Sequence, residues 1–254
     1  MPTQRDTPME LLIGTFLLRP YVFGFLVAFL LAGTRDLGCR RVLTFGALVW
    51  PIAWLAEFSS TRIGVPFGLY HYTETTRGQE LFIGNVPFMD SLSFTFLAYA
   101  AFCVARAVIG QRQIPRPFIA LAAGLLMMAL DVVIDPLAVR GDRWFLGRIF
   151  YYADGGLYFG VPLSNFAGWI VVGALGVGAY LAVVDDAGGK EARGGVALYY
   201  AVIVFNLAVT LWIGEWLLTA AGVALHAGLL FFLVWLKRIV DAPAGFDERG
   251  VERA

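Results

Sequence analysis

Only two cysteines and two histidines occur in 254 residues, and their scarcity excludes two large classes of chemistry. Cys39 and Cys103 lie far apart, without the close spacing of a metal site or redox motif. Both are therefore expected to pack as small apolar side chains and not to form a disulfide. Two histidines cannot supply the clustered imidazoles of a histidine-rich iron or zinc site, which counts against desaturase and oxygenase chemistry. Charge is also scarce, at 15% of residues against about 25% in a soluble domain. Net charge is zero, the pI is near 6.7 and no basic block is present, so nucleic acid is not an expected partner. The familiar nucleotide and hydrolase signatures are missing as well. There is no Walker loop, GxGxxG turn, GxSxG elbow or HExxH helix, and no DDxxD repeat that would hold a magnesium diphosphate.

Apolar sequence fills the space left by these absences. Hydrophobic residues make up 59% of the chain and mean hydropathy is +0.73. The excess comes in runs of about 20 residues, the length an α-helix needs to cross a hydrocarbon core of about 30 Å. An all-α, polytopic membrane bundle of about seven helices follows. Its spans are expected near residues 20–34, 42–60, 86–109, 117–138, 158–184, 196–213 and 216–238. Met9 to Leu18 is apolar but too short to span, and Arg19-Pro20 after it marks an interfacial helix feeding the first span. No cleavable signal peptide is expected at the polar start.

Residues 1–240 are read as one membrane-embedded catalytic domain, and 241–254 as a polar, disordered cytoplasmic tail. Under alternation, Arg35, Arg40, Arg41, Arg106, Arg112, Arg116, Lys190, Arg193, Lys237 and Arg238 fall on one side. Arg5, Arg19, Arg62, Arg77, Arg140, Arg143 and Arg148 fall on the other. The positive-inside rule then favours an amino terminus outside and a carboxyl terminus in the cytoplasm, and the cell (plasma) membrane is the expected multi-pass location.

The most anomalous feature is Asp131-Val-Val-Ile-Asp135-Pro136, two carboxylates four residues apart on one face of an otherwise apolar helix. An ionisable group at bilayer depth costs at least about 2.5–3.5 kcal/mol, so such residues usually face a cavity and have a function. The alternative is that the helix stops near Leu130, with Pro136 helping to end it, and both Asp sit in headgroup water. Two connections are also unusual. Arg62 to Val86 and Val139 to Val161 are rich in Gly, Pro and aromatics, including Tyr70, Tyr72, Trp144, Phe150, Tyr152 and Tyr158. An ordinary aromatic belt accounts for each ring singly. Taken together, they suggest two re-entrant or lid-like segments at the mouth of an apolar cavity. Elsewhere, Trp50, Trp54 and Glu57 share one face of the second span. Tyr158, Pro162, Asn165 and Trp169 follow one stripe of the fifth, and Tyr199 and Asn206 lie two turns apart in the sixth. Asn206 alone would usually join helices, and Glu215, between Trp212 and Trp216, would usually be solvated at the interface.

Acids in an apolar, aromatic-lined cavity suit protonation of an alkene. Burial favours the neutral, proton-bearing form of a carboxylic acid. Aromatic faces stabilise the resulting carbocation, and a second acid with an amide can orient water and accept its proton. A membrane-dissolved polyene or isoprenoid is the matching substrate class. Capture of the cation by an internal double bond would give a cyclase. A non-enzymatic transporter or ligand-binding membrane protein would use the acids as a proton relay, but no inverted repeat is evident. The end-of-helix position of Lys237 counts against a retinal protein.

Four stretches, GVPFGLYHY from Gly64 to Tyr72, GNVP from Gly84 to Pro87, Asp131-x-x-x-Asp135-Pro136, and YFGVPLSNFAGW from Tyr158 to Trp169, resemble the bacterial and archaeal carotenoid hydratases. That family includes γ-carotene 1′-hydratases and bisanhydrobacterioruberin hydratases, and the resemblance covers about residues 20 to 239. It implies water addition across the terminal 1′,2′ double bond of an acyclic ψ end group, giving a tertiary alcohol, with no metal or redox cofactor. Asp90 and the Trp144-Phe145 pair depart from the family pattern and bear on end-group preference. The near-neutral composition points to γ-carotene or lycopene-like substrates over a haloarchaeal one. On this reading Asp131 or Asp135 donates the proton, and Glu57 and Asn165 position water. Trp54, Trp144, Tyr158, Trp169 and Asn206 line the end-group pocket, with Tyr70 and Tyr72 gating it. The partners are the carotenoid, water, bilayer lipids and other enzymes of the carotenoid pathway.

Overall fold

The computed structural model describes residues 7–109, 114–184, 189 and 191–241. Apart from Asp241, the expected polar tail lies outside the described residues, as do Arg5, Arg112 and Lys190 of the charge count. Eight helices occur within these bounds: α1 (Pro8–Leu18), α2 (Pro20–Leu37), α3 (Cys39–Ile63), α4 (Phe88–Ile109), α5 (Arg116–Ala138), α6 (Leu163–Val183), α7 (Arg193–Trp212) and α8 (Trp216–Asp241). All but α1 are long and apolar enough to cross a membrane. The fold is the expected polytopic helical bundle.

Local sequence explains the helix boundaries. Thr7 and Glu10 form a reciprocal capping box at the start of α1, with Pro8 in the first turn. Pro20, which has no N–H to give up, restarts the chain as α2. The fifth predicted span begins too early, because Pro162 occupies the N-cap and α6 starts only at Leu163. The third predicted span begins too early as well. Val86 and Pro87 are extended as strand β3, paired with β2 (Phe82–Ile83), before α4 begins at Phe88. Within α5, Pro136 is tolerated in the last turn, so the helix continues to Ala138 and both aspartates are helical. The alternative that this helix ends near Leu130 in headgroup water is overturned, since Asp131 is completely buried.

The central helix is α4, which packs against α2, α3, α5, α6, α7 and α8. Its Ala98, Ala100, Ala101 and Ala105 alternate with Tyr99 and Phe102 and leave no polar stripe, as a helix surrounded by neighbours requires. The most extensively packed helix pair is α5 with α6. A Cβ on Gly124 would come within about 3 Å of Ala174, and one on Gly173 would lie 3.0 Å from Gly124 Cα. Small residues thus let these two backbones approach directly, which in lipid substitutes for a hydrophobic drive between helices. That approach sets the distance between the aspartates of α5 and the start of α6.

The two aromatic connections do not act separately. Strand β1 (Tyr70–Tyr72) pairs antiparallel with β4 (Phe150–Tyr152), in the register Tyr70↔Tyr152, His71↔Tyr151, Tyr72↔Phe150. The backbone N–H of Thr73 extends the ladder to Ile149 O at 2.8 Å. Alternation along strands places Tyr70, Tyr72, Phe150 and Tyr152 on one face and His71 and Tyr151 on the other. The inward face closes one end of the bundle as a two-stranded roof. Buried Arg19, at the α1–α2 junction, straps this roof down by donating to Glu80 Oε1 and to Leu146 O, both at 2.8 Å. Arg140 Nη1 donates to Pro136 O and Phe159 O, fastening the second connection to the end of α5. The expected packing of both cysteines holds only for Cys103, which is buried; Cys39, at the start of α3, is exposed, and both are free thiols.

Candidate active site

Beneath the roof lies a cavity of about 140 Å³, lined mainly by apolar and aromatic side chains. Three acids reach its wall from three helices: Glu57 of α3, Asp90 of α4 and Asp135 of α5. Asp131 sits one turn deeper on α5, behind the wall. Asn165, in the first turn of α6, joins the two aspartates. Its Nδ2 donates to Asp131 Oδ2 at 2.6 Å and to Asp135 Oδ2 at 2.7 Å. Both amide hydrogens are therefore used on the aspartate pair and are not free to orient water. Two buried carboxylate oxygens on these acids, Glu57 Oε2 and Asp131 Oδ1, have no hydrogen-bond partner among the described residues. In a protein interior such orphaned oxygens ask for a water, a proton or a substrate.

Aromatic rings surround these acids. Trp169 stacks on Phe94 with centroids 4.4 Å apart and 17° between planes. Phe67 leans on both rings and reaches them because Gly168 leaves room, where a Cβ would lie 2.6 Å from the Phe67 ring. Overhead, the Tyr70 and Tyr72 hydroxyls lie 3.5 Å apart, and Tyr70 meets Phe150 and Tyr152 at centroid distances of 5.6 and 5.7 Å. Burial pushes the pKa of Tyr70 and Tyr72 well above the ordinary value, and the nearby Glu57 carboxylate pushes the same way. Burial, followed by Asp135, does the same for Tyr152. The roof hydroxyls are thus kept as neutral donors above the acids. Among the described residues, no three His, Cys, Asp or Glu side chains converge closely enough to hold a metal ion.

Of the residues singled out from sequence, Glu57, Tyr70, Tyr72, Asp135, Trp144, Asn165, Trp169 and Asn206 line this one cavity. Asn206 Nδ2 bonds to Val202 O of its own helix, leaving the side chain on the wall and not between helices. Trp54 and Tyr158 are not brought in. Trp54 Nε1 donates to Ile83 O at 3.2 Å and its ring lies on Phe58, so it fastens α3 to β2. Tyr158 precedes the helix start at Leu163, in a tight turn bridged to Val161, with its ring against Phe159 and Phe166. The expected stripe from Tyr158 to Trp169 therefore breaks at Pro162, and only Asn165 and Trp169 share a helical face. Glu215, expected in solvent, pairs with Arg143 and with Arg140. Sequence reasoning did not place Asp90 in the site, though its carboxylate stood out as unusual. It also missed Tyr21, Phe25 and Phe205, which complete the wall.

The structure so described is a polytopic helical membrane protein whose acid-lined, aromatic cavity is closed by two paired inter-helix connections. The chain belongs to the family described as carotenoid biosynthesis protein, whose model matches residues 12–233. It is similar to a bisanhydrobacterioruberin hydratase of Haloarcula japonica, with 29% identity over 174 residues. That match covers 67% of this chain and 52% of the relative, so the chain spans about half the length of the curated relative it matches. No solved structure matches it.

Proposed function

We propose that this protein is a carotenoid hydratase, adding water across the terminal 1′,2′ double bond of an acyclic ψ end group. The substrate is γ-carotene or a lycopene-like carotenoid dissolved in the bilayer, and the product is a 1′-hydroxy carotenoid. The single observation that carries this reading is the Asp131–Asn165–Asp135 cluster, with Asp135 presented to an aromatic cavity. Family membership and the hydratase relative support the same reaction class.

Asp135 lines the cavity and Asp131 does not, so Asp135 is the proton donor and Asp131 its buried support. Asp135 transfers its proton to C2′, and positive charge develops at the tertiary carbon C1′. Trp169, Phe94 and the roof tyrosines face that charge with the electron-rich faces of their rings. A desolvated cation over an aromatic ring gains about 2 kcal/mol or more. Water held at Glu57, with Asp90 beside it, forms the new C–O bond at C1′ and passes a proton to a carboxylate. Proton exchange among the acids through water restores Asp135. One water is consumed, no electrons are transferred, and the chemistry calls for no redox cofactor. Asn165 acts as a positioning residue, fixing both carboxylates through its two N–H groups.

The reading extends to setting and partners: a multi-pass place in the plasma membrane, carotenoid and water as reactants, bilayer lipids around it, and neighbouring carotenoid enzymes supplying substrate. Expression in cells that make lycopene or γ-carotene, with isotopically labelled water, tests the core of it. The expected product has gained one water, with the label in its hydroxyl. A product of unchanged mass and altered absorption spectrum would establish cyclisation instead, and no product from either pigment would remove both.

A further inference from the structure

A second depression lies beside the cavity, on the side where α2 faces α7. Tyr21, Gly24, Phe25 and Ala28 form one bank and Ala197 and Ala201 stand on the other, around an open groove of about 510 Å³. None of its lining residues among the described ones is charged. Tyr21 and Phe25 line the groove and the cavity alike, so the two spaces share a wall of aromatic rings. At their junction the Tyr21 and Phe205 rings stack at 5.2 Å, and Phe25 meets Phe205 edge-on at 5.6 Å. A Cβ on Gly24 would meet nothing within 4 Å, so a larger side chain on that bank has room to enter the groove.

We propose that this groove binds the conjugated shaft of the polyene whose end group enters the cavity. The inference rests on the reading of the cavity as a carotenoid end-group site. A cavity of about 140 Å³ accommodates a branched end but not a long isoprenoid, so the rest of the molecule must leave it. The paired strands β1 and β4 close the top, and Asp131 with Asn165 closes the wall of α5 and α6. On the α2–α7 side the cavity abuts an uncharged trough, with only the Tyr21, Phe25 and Phe205 side chains between them, and the shaft passes out between those rings. From Tyr21 to Ala28 that trough follows seven residue-to-residue steps of helix, about 10 Å at about 1.5 Å per step. A rigid, straight polyene suits a straight trough, and Gly and Ala banks leave room for its methyl branches. The geometry also sets orientation: the reacting end sits under the roof while the shaft lies along α2 and α7. A two-ended substrate therefore leaves and turns round before its second end can react.

The test separates shaft binding from chemistry. In cells making lycopene, Asp135→Asn is used as the background so that bound pigment is not converted, and pigment per purified protein is read by absorbance. Adding Gly24→Leu, which fills the trough, is expected to lower bound lycopene at least about fivefold, a loss of about 1 kcal/mol. Gly228→Leu on α8, where an added Cβ also meets nothing within 4 Å, retains the pigment. Equal pigment with and without Gly24→Leu overturns the proposal and leaves the groove to lipid acyl chains. Absence of pigment from the Asp135→Asn parent overturns it too. If pigment binds and Gly24→Leu expels it, yet the unmodified protein adds no water, the hydratase reading falls and the groove stands.

Discussion

Buried acids occur at both ends of this bundle, and their surroundings differ. At the end away from the roof, Asp36 of α2 is 2% exposed and every part of its carboxylate is engaged. Arg106 donates to both oxygens, at 2.7 and 3.1 Å, Tyr99 Oη donates at 3.2 Å and the Glu191 backbone N–H at 3.0 Å. A bidentate guanidinium pair of this kind holds α2, α4 and the start of α7 in place. Under the roof, Glu57, Asp90, Asp131 and Asp135 meet tyrosines, indoles and one amide, and among the described residues no Lys or Arg lines the cavity. The buried Arg19 nearby gives its hydrogen bonds to Glu80 and Leu146, and among these acids its charge acts on Asp90. Burial therefore does not distinguish a structural acid from a chemical one. For the Asp131–Asp135 pair the missing counter-cation does, because it leaves a carboxyl able to give up and recover a proton.

The contrast can be broken in order of expected effect. Asp135→Asn keeps the Asn165 contact geometry but removes the transferable proton, and product formation should fall by about 10²–10⁴-fold, the usual worth of a positioned general acid. Its thermal unfolding in detergent should match the parent. Asp36→Ala should do the reverse. With Arg106 left buried and unpaired, stability drops by about 3–5 kcal/mol, seen as lower yield and an earlier unfolding transition, while product per folded molecule is retained. Loss of chemistry without loss of stability in Asp36→Ala would erase the distinction.

Asn165→Ala should lower turnover by about 10²-fold, the scale of an ångström-sized misplacement of reacting groups. Asp135 remains present, so unchanged turnover would show that the aspartates hold their positions without the amide. The smallest effect concerns the roof. Tyr70, Tyr72 and Tyr152 have raised pKa values when folded, so below about pH 10 the hydroxyls are protonated in folded and unfolded chains alike. Above it the unfolded chain loses protons that the folded roof retains, so stability falls as pH rises past that point. Unfolding midpoints from about pH 9 to about pH 11 should show that decline. It should weaken when Tyr72 is replaced by Phe.

Sequence disclosed the long-range layout better than the short-range geometry. Seven apolar runs are a strong signal because bilayer thickness dictates their length, and α2 to α8 follow them within a few residues. Asp131 and Asp135 were visible for the same reason, as charges where hydrocarbon was expected. Which of them meets the cavity was not visible, since spacing places both on one face and only packing against α6 sets their depth. Helical periodicity failed at Tyr158, where Pro162 ends its reach, and at Trp54, whose indole finds a backbone carbonyl on β2. The pairing of β1 with β4 left no sequence trace. Strands of three residues, two helices apart, carry too little alternation to announce a partner.

That pairing dictates an order of construction. Tyr70 cannot meet Tyr152 until α4 and α5 have both been made and the second connection has emerged behind them. While the chain is still growing, Glu57 and Asp90 have no ceiling, and water reaches them freely. The hydrophobic chamber is thus a late product of biogenesis, completed only when two segments from different stages of synthesis clasp above acids already installed.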